Sequence, residues 1–412
     1  MRLAHGDPAD VLEGGTSLAQ HVMRIATNGV TGRMGHRHHL VRSVLALREQ
    51  GGLELADGTV LWPEPVLVGR DGPKLAALAA SHGLTKWTTV LDEVLSDPSV
   101  EVYFDAQATS ARGPALAAAI EAGKAVYSEK PVAPNLPEAL RLAAAARRAG
   151  VANGAVQDKL FLPGIRKLRR LVGARALGRV LSVRGEFGYW VFEGDWQPAQ
   201  RPSWNYRAED GGGIVMDMFC HWRYLLDGVI APVRSVYAQV ATHIPERWDE
   251  KGRPYRATAD DAAYAVFELD GGVVAQVNSS WATRVFRDEL VEFQVDGTEG
   301  SAVAGLLRCR FQHRGATPAA TWDPDAPPGH DLRSLWQEVP DNGATGNAFK
   351  LQWEQFLSHV ALGTPFPWDL LAGARGVQLA ELALQSAREG RKVEVPALDL
   401  PAEEPVAKAA SS

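Results

Sequence analysis

The chain has 412 residues, of which 46% are hydrophobic and 22% charged, a composition typical of a globular protein with two domains. The formal net charge of -6 argues against a nucleic-acid partner, which needs a concentrated basic surface. Apolar runs are too short for a membrane span, so we expect no membrane association. Export signals are absent from the first residues, and only Cys220 and Cys309 are present, which favours a cytoplasmic location.

The first third of the chain alternates strand and helix patterns. Such alternation is typical of a parallel sheet covered by helices on both faces. Apolar runs predict strands at residues 24–27, 66–68, 102–104, 125–127 and 151–155. Helices are predicted at residues 39–49, 74–81, 91–96, 113–122 and 136–149, and residues 51–65 as a long loop. We therefore expect an α/β protein with a mobile extension over residues 1–21 and a Rossmann domain over residues 22–155.

A glycine-rich turn, Gly29-Val30-Thr31-Gly32-Arg33-Met34-Gly35, follows the first predicted strand and begins a helical stretch. Residues without a side chain allow backbone N–H groups to approach a pyrophosphate at a helix N-terminus. Taken alone, the glycine spacing also fits a tight structural turn. The order of strand, turn and helix favours dinucleotide binding. The candidate cofactor-binding residues of this turn are Gly29, Thr31, Gly32, Arg33 and Met34.

The end of the second predicted strand bears on the choice between NAD and NADP. A carboxylate there usually receives the ribose hydroxyls, but this chain has Gly69 and Arg70 before Asp71. The Arg70 guanidinium suits a 2′-phosphate, whereas Asp71 suits a 2′-hydroxyl. The sequence leaves the choice between the two cofactors open.

Three residues suit the oxidation of an alcohol. Lys130, in Glu129-Lys130-Pro131, follows a predicted parallel strand, whose carboxyl end opens into the ligand crevice. Its ammonium can hydrogen-bond a substrate hydroxyl and favour alkoxide character. Asp217 and His221 lie four residues apart on one face of a predicted helix, after three glycines. His221 suits removal of a hydroxyl proton, and Asp217 suits orientation of that hydroxyl.

The sequence after residue 155 predicts a second domain over residues 156–395, followed by a tail over residues 396–412. Alternating patterns predict an open, mostly antiparallel sheet from strands at residues 180–189, 233–242, 262–269, 273–281, 290–295 and 300–306. Helices are predicted at residues 164–172, 213–226, 349–362 and 371–389. We expect the last helix to pack back near the first domain.

Aromatic residues are dense between residues 187 and 206. Sugar rings present C–H faces that stack on such side chains, although buried packing explains part of the pattern. Polar residues interleave with the aromatic ones, and the candidate substrate-binding residues here are Tyr189, Trp190, Trp196, Arg201, Trp204 and Asn205. The histidines His36, His38 and His39 lie at the start of the first helix, and we predict no metal site there.

These motifs together resemble the glucose–fructose oxidoreductase / inositol dehydrogenase family (Gfo/Idh/MocA), over about residues 22–395. The resemblance implies a Rossmann domain, an α/β domain with an open sheet that forms homodimers or homotetramers, and an NAD(P) cofactor. It implies that Lys130, Asp217 and His221 are the catalytic residues and that a carbohydrate is the substrate. It also places Gln107, Glu129 and Lys130 beside the cofactor and Lys159 beside the substrate. The chain departs from the usual family pattern at Gln107-Ala108-Thr109 and at Phe219, where relatives often have other residues.

The predicted function is NAD(P)-dependent hydride transfer at a hydroxyl of a sugar, glycoside or polyol. A second hypothesis is a glycoside-cleaving enzyme that uses NAD through a transient keto-sugar. That reaction needs an additional base, for which Tyr189, Lys159 or His221 is available. A third hypothesis is a cofactor-binding sensor without turnover, against which the presence of Lys130, Asp217 and His221 argues.

Overall fold

The computed structural model describes residues 19–320, 322–325, 329, 331–343 and 346–400. Two sheets organise this part of the chain, one of seven strands and one of nine. Of the predicted extension (residues 1–21) and the predicted tail (residues 396–412), residues 1–18 and 401–412 lie outside the described residues. Residues 20 and 21 belong to the first strand. None of the described helices combines the length and apolar character needed to cross a bilayer.

The first sheet confirms the predicted Rossmann architecture. Its strands are β1 (Gln20–Asn28), β2 (Leu53–Glu54), β3 (Val60–Val68), β4 (Trp87–Thr88), β5 (Val100–Asp105), β6 (Ala125–Ser128) and β7 (Asn153–Ala155). They lie in the order β2-β3-β1-β5-β6-β7, with β4 also beside β3. All pairs are parallel except β2 with β3. The carboxyl ends of β1, β3, β5 and β6 therefore meet at one edge, where ligands bind in such sheets.

Five helices surround this sheet. They are α1 (Met34–Leu45, continued by Ala46–Glu49), α2 (Gly72–Ser81), α3 (Leu91–Ser96), α4 (Thr109–Glu121) and α5 (Leu136–Ala149). Helix α5 matches its predicted bounds. The Asn135 side chain accepts a hydrogen bond from the Glu138 N–H at its start, and Gly150 ends it with a φ of 65°.

The loop predicted at residues 51–65 is wrong, because this segment contains β2 and most of β3. Proline normally disfavours the interior of a strand, and this segment contains Pro63 and Pro65. The N–H groups of Leu67 and Gly69, further along the same side of β3, donate to β4 and the residue before it. The backbone nitrogens of Pro63 and Pro65 face that same side of β3, between the residues that pair with β2 and those that pair with β4. No described strand pairs with β3 there, so the missing N–H groups of the two prolines cost no hydrogen bond.

The second sheet is mostly antiparallel, as predicted. Its strands are β8 (Val180–Gly188), β9 (Val233–Ala241), β12 (Ala262–Leu269), β13 (Val273–Ser280), β14 (Val291–Gly297), β15 (Gly300–Ala304), β16 (Cys309–His313), β17 (Gln337–Glu338) and β18 (Val393–Glu394). Only β8 and β13 pair in parallel. A separate hairpin joins β10 (Glu246–Trp248) to β11 (Pro254–Arg256). The prediction missed β10, β11, β16, β17 and β18, which are too short or irregular to show a clear period.

Helices α6 (Pro163–Gly173) and α7 (Ile214–Leu225, continued by Leu226–Ile230) belong to this second half. Helix α7 packs on the second sheet, where Phe219 contacts Phe267 and the Trp222 indole donates to Ser279 at 3.0 Å. This packing leaves the face that carries Asp217 directed toward the end of β6. The position of α7 therefore sets the geometry between the two sheets.

The last two helices, α8 (Ala348–Leu362) and α9 (Leu370–Glu389), pack against the first sheet. Trp353 and Phe356 of α8 share a core with β1 and β5. Helix α9 contributes Leu370 and Val377 to the core of the first domain and Leu379 to that of the second. The expectation that the last helix returns to the first domain is confirmed.

Candidate active site

In the glycine turn between β1 and α1, two of the glycines have no room for a side chain, whereas the third has room. A Cβ on Gly29, whose φ is 83°, would lie 2.5 Å from the Ala106 carbonyl carbon. A Cβ on Gly35 would lie 2.5 Å from the Gly29 oxygen, so both positions require glycine for packing. At Gly32 the nearest atom would be 3.4 Å away. The turn therefore has one face open to a ligand, beside the N-terminus of α1.

A cleft of about 330 Å³ lies at the carboxyl ends of β1, β3 and β5. Its walls include Gly69, Arg70 and Gln107, three of the predicted cofactor-binding residues. Asp71 does not line it. The Asp71 carboxylate accepts the Lys74 N–H at 3.1 Å at the start of α2 and pairs with the Lys74 ammonium at 3.1 Å. The structure thus presents a guanidinium, not a carboxylate, to this cleft.

A buried ion pair fixes the loop that carries Gln107. Arg112 donates from Nε to Asp105 at 3.1 Å and from Nη2 to the Gln107 carbonyl oxygen at 2.7 Å. The Gln107 side chain also donates to Asp105, at 2.8 Å. Arg112 further donates to the Pro131 carbonyl oxygen. Arg112, which the sequence reasoning missed, therefore ties the loop after β5 to the segment that contains Lys130.

Glu129 belongs to a buried hydrogen-bond network with His39 and Trp353. The Trp353 indole donates to His39 Nδ1 at 3.0 Å, so the His39 proton resides on Nε2, which donates to Glu129 at 2.7 Å. The other carboxylate oxygen accepts the Lys130 N–H at 2.9 Å. Burial alone would raise the pKa of Glu129, but the His39 hydrogen bond and nearby positive charges lower it to about 2. Glu129 therefore anchors the backbone at Lys130.

Lys130 and Asp217 meet between the two halves of the molecule. The Lys130 ammonium donates to Asp217 Oδ1 at 2.6 Å and to the Asp217 carbonyl oxygen at 2.9 Å. The other carboxylate oxygen accepts from Arg201 Nη1 at 3.0 Å. The side chains of Lys130 and Asp217 are 18% and 29% exposed, so the pair is screened from water without being sealed.

The charges of this centre are strongly coupled. Burial opposes ionisation of Asp217, but Lys130 and Arg201 outweigh it and hold the pKa of Asp217 far below its usual range. Burial likewise opposes the Lys130 ammonium, but Asp217 outweighs it and raises the pKa of Lys130. Burial and the positive charge of Lys130 lower the pKa of His221 well below its usual value. At neutral pH the centre contains an ammonium, a carboxylate and a neutral imidazole.

His221 lies one turn after Asp217 on α7 and is 4% exposed. Its Nδ1 lies 2.6 Å from the Tyr224 hydroxyl. That hydroxyl also contacts Asp158 at 3.3 Å and the Lys159 N–H at 3.2 Å. Nε2 makes no hydrogen bond with any described residue. Tyr224 and Asp158 were missed, because nothing in the sequence indicates that residues so far apart meet.

The predicted substrate residues separate into two groups. Arg201 donates to the Tyr189 hydroxyl at 3.2 Å and to Asn205 at 3.2 Å, so Arg201, which also contacts Asp217, links both residues to this centre. Arg201 also lies 4.3 Å over the ring of Trp281, another residue that the sequence reasoning missed.

Within the described residues, the second group makes no hydrogen bond, ion pair or ring contact with Lys130 or Asp217. Trp190 lies 4.0 Å from the Arg284 guanidinium, and Trp196 packs on Phe192. Trp204 is half exposed. Lys159 pairs with Asp158 instead of the Lys130 centre. Their role in binding substrate stays a prediction.

The histidines of α1 take separate roles. His36 Nε2 lies 3.0 Å from His82 Nε2, whereas His39 belongs to the Glu129 network. The described part of the chain contains no group of three or more histidine, cysteine, aspartate or glutamate side chains that could hold a metal ion.

Two family matches cover most of the chain. Residues 24–155 match the oxidoreductase family with an NAD-binding Rossmann fold, and residues 165–303 match the GFO/IDH/MocA C-terminal domain. The chain is 57% identical to a D-xylose dehydrogenase of Paenarthrobacter nicotinovorans, over 92% of this chain and 99% of that protein. It is 27% identical to the scyllo-inositol 2-dehydrogenase (NAD(+)) of Bacillus subtilis, over 70% of this chain and 75% of that protein.

The fold has a close counterpart among solved structures. Levoglucosan dehydrogenase in complex with NADH and levoglucosan superposes with a TM-score of 0.75 at 21% identity, covering 92% of this chain and 100% of that one. At this identity the likeness concerns the fold.

Proposed function

The chain belongs to the GFO/IDH/MocA family of oxidoreductases, and we propose that within this family it oxidises D-xylose. Its activity is NAD(P)-dependent hydride transfer at a hydroxyl-bearing carbon of a sugar or polyol. The relative named D-xylose dehydrogenase supports the substrate, because the identity of 57% extends over 92% of this chain. The observation that carries the proposed chemistry is the contact between Lys130 and Asp217 at 2.6 Å, with His221 one turn further along α7.

The residues of the first domain fit a dinucleotide. The open face at Gly32 admits a pyrophosphate to the N-terminus of α1, and the cleft beside Gly69 and Arg70 suits the adenosine end. Gln107 lines the same cleft and is fixed by Asp105 and Arg112. When bound, the nicotinamide supplies the hydride acceptor. The protein supplies the orientation of the sugar and the removal of its proton.

We assign Lys130 to the stabilisation of negative charge on the reacting oxygen. An ammonium has three N–H donors, and Asp217 accepts two of them. The third is free for the substrate hydroxyl. Because the pKa of Lys130 is raised, the group stays charged and acts as a donor, not as a base.

We assign His221 to the removal of the hydroxyl proton. Its pKa is lowered, so the imidazole is neutral at neutral pH and has a lone pair that can accept a proton. Asp217 pairs with both Lys130 and Arg201 and keeps them in place. Two cations and one carboxylate give the centre a net positive charge, which stabilises the negative charge that develops on the sugar oxygen. Tyr189 and Asn205, which adjoin Arg201, supply hydrogen-bonding groups for the other hydroxyls.

We propose that Arg70 lets the enzyme accept NADP as well as NAD. Arg70 lines the adenosine cleft and is exposed, whereas the neighbouring carboxylate of Asp71 is used to cap α2. A free guanidinium can pair with a 2′-phosphate in two hydrogen bonds. Nothing in this arrangement prevents a 2′-hydroxyl from binding.

We also propose a homodimer or homotetramer that uses the outer face of the second sheet. Tyr237, Tyr264, Val266 and Val274 of the adjacent strands β9, β12 and β13 are all exposed on that face. Apolar side chains grouped in this way typically mark a protein contact. Light scattering of the purified chain tests the assembly, and Val266→Lys with Val274→Lys is expected to yield monomers.

One screen tests the activity. The protein is incubated with D-xylose, other aldoses, inositols and aryl glycosides, each with NAD or NADP, while nicotinamide absorbance and product mass are followed together. Reduced cofactor that accumulates with oxidised xylose supports the proposal. Release of aglycone without net reduction indicates the glycoside-cleaving cycle instead, and cofactor binding without turnover of any sugar indicates a sensor.

A further inference from the structure

A buried hydrogen-bonded chain runs from the back of His221 toward solvent. It begins at His221 Nδ1, passes through the Tyr224 hydroxyl at 2.6 Å and reaches Asp158 Oδ1 at 3.3 Å. Asp158 Oδ2 pairs with the Lys159 ammonium at 2.5 Å. His221 and Asp158 are almost fully buried, whereas the Lys159 side chain is 27% exposed.

The partners of the Tyr224 hydroxyl favour one direction of donation along this chain. The Lys159 N–H can only donate to the Tyr224 oxygen, at 3.2 Å, and an ionised Asp158 can only accept. With its oxygen already accepting the Lys159 N–H, the Tyr224 hydroxyl can direct its proton to Asp158 and accept from His221. In this arrangement His221 carries its proton on Nδ1, which leaves the lone pair on Nε2. This tautomer is the one that can remove a substrate proton.

We propose that Tyr224 and Asp158 are positioning residues that fix this tautomer and conduct the substrate proton to Lys159 and water. The inference rests on the proposed function, because it assumes that His221 is the base. Oxidation removes one hydride, which carries both electrons, from the carbon, with the acceptor supplied by the nicotinamide-dependent activity, while the O–H proton moves to Nε2. The Nδ1 proton then moves to the Tyr224 oxygen as the Tyr224 proton moves to Asp158.

The last transfer closes the balance. The Lys159 ammonium gives a proton to water and takes the one that Asp158 received, which leaves His221 protonated on Nε2 and the Tyr224 proton directed at Nδ1. When the product has left, water in the open cleft takes the Nε2 proton while a proton returns from water through Lys159, Asp158 and Tyr224 to Nδ1. Each group then ends the cycle as it began, and one proton is released overall. The path needs no movement of the backbone, because every donor and acceptor in it is already within hydrogen-bond distance.

The surroundings favour rapid departure of the proton from His221. Burial disfavours an imidazolium there, and the charges of Lys130 and Lys159 disfavour it further, whereas Asp217 alone opposes them. On the Asp158 side, the facing groups are Lys159, Tyr127 and His38. A route through Tyr224 removes the positive charge from beside Lys130 without returning the proton to the sugar.

The first test reads the tautomer without any turnover. Protein labelled with ¹⁵N-histidine is examined by two-bond ¹H–¹⁵N correlation, with the His221 signals assigned from His221→Asn. We expect the Nδ1–H form in the wild type and a mixture of both tautomers in Tyr224→Phe, which retains the ring but lacks the hydroxyl. Tyr127→Phe is the matched control, since its buried hydroxyl makes no hydrogen bond with a described residue, and we expect it to keep the Nδ1–H form.

The second test follows the proton itself. Stopped-flow mixing with sugar and cofactor in weak buffer, with a pH indicator, compares proton release with formation of reduced nicotinamide. We expect the two to coincide in the wild type and in Tyr127→Phe. In Tyr224→Phe and Asp158→Asn, kcat should fall about 10- to 100-fold, the usual cost of removing a group that orients an imidazole, with little change in KM. Proton release should lag behind nicotinamide reduction.

The outcomes separate the two claims. Turnover retained by His221→Asn would overturn the proposed function and the relay together. An inactive His221→Asn combined with a Tyr224→Phe variant that keeps wild-type kcat, a single tautomer and synchronous proton release would overturn the relay alone.

Discussion

Replacing Lys130 by methionine tests the charge arrangement directly. The substitution removes the one N–H donor that Asp217 leaves free for the reacting oxygen. Loss of a single preorganised donor to an oxyanion typically costs about 2.7–4 kcal/mol, so kcat should fall about 10²- to 10³-fold. Asp217 keeps its contact with Arg201 at 3.0 Å and is not left as an unpaired charge. We therefore expect a stability loss of only about 1–3 kcal/mol, between the values for exposed and buried pairs.

The assay compares kcat, KM and urea unfolding for Lys130→Met and a matched variant, Lys124→Met. Lys124 precedes β6 at its other end, is also buried, and donates to the Asp97 carbonyl oxygen at 2.7 Å. Its loss should lower stability without lowering kcat. Because the charge of Lys130 contributes to the lowered pKa of His221, the acid limb of the pH profile should also move to higher pH in Lys130→Met.

If kcat for Lys130→Met lies within about threefold of the wild type, the activation free energy has changed by less than about 0.7 kcal/mol. That result would refute the assignment. So would an equal loss of kcat in Lys124→Met, since the effect would then follow stability and not the position of the ammonium. A 10²- to 10³-fold loss of kcat together with a stability loss of no more than about 3 kcal/mol in urea would support it.

Three further results are expected. Arg70→Ala should weaken NADP relative to NAD by about 1.5–3 kcal/mol, measured by calorimetric titration of both cofactors, and equal weakening would show that Arg70 does not contact the 2′-phosphate. Gly32→Val should abolish cofactor binding in the same titration with little change in circular dichroism, because the position is open to ligand and free of packing contacts below 3.4 Å. Glu129→Gln should cost about 3 kcal/mol of unfolding free energy at pH 7, from a pKa lowered from 4.5 to about 2. A lowered carboxyl pKa stabilises the fold above about pH 4.5 and ceases to do so as the pH falls toward 2, so denaturant unfolding should show a smaller difference at low pH.

The parts of the fold that the sequence predicted have local signals. Helix α5 was predicted with its bounds because Asn135, Pro137 and Gly150 mark its ends independently of the rest of the molecule. The hairpin of β2 and β3 was missed because Pro63 and Pro65 normally exclude a strand. Their effect vanishes only where a sheet leaves one side of the strand without a partner, a fact that depends on tertiary structure.

The candidate site shows the same division. Lys130, Asp217 and His221 were predicted because each belongs to a motif of fixed spacing. Tyr224 was invisible, since a tyrosine three residues after a histidine on a helix signals nothing until Asp158 is known to face it. Arg112 was likewise missed, because its partners Asp105 and Gln107 belong to a loop whose conformation the sequence does not specify.

The double membership of helix α9 bears on how the chain is made and how it can be recombined. A ribosome delivers residues 20–155 early, yet α8 and α9, which complete the core around β1 and β5, emerge last. The nascent first domain must therefore wait, with apolar surface exposed, until about 200 further residues have been synthesised. For the same reason, a chimera that exchanges substrate domains between relatives has to keep the C-terminal helices with the N-terminal sheet. The N-terminal sheet and helices α8 and α9 must therefore be kept together, although the exchangeable substrate domain lies between them in the sequence.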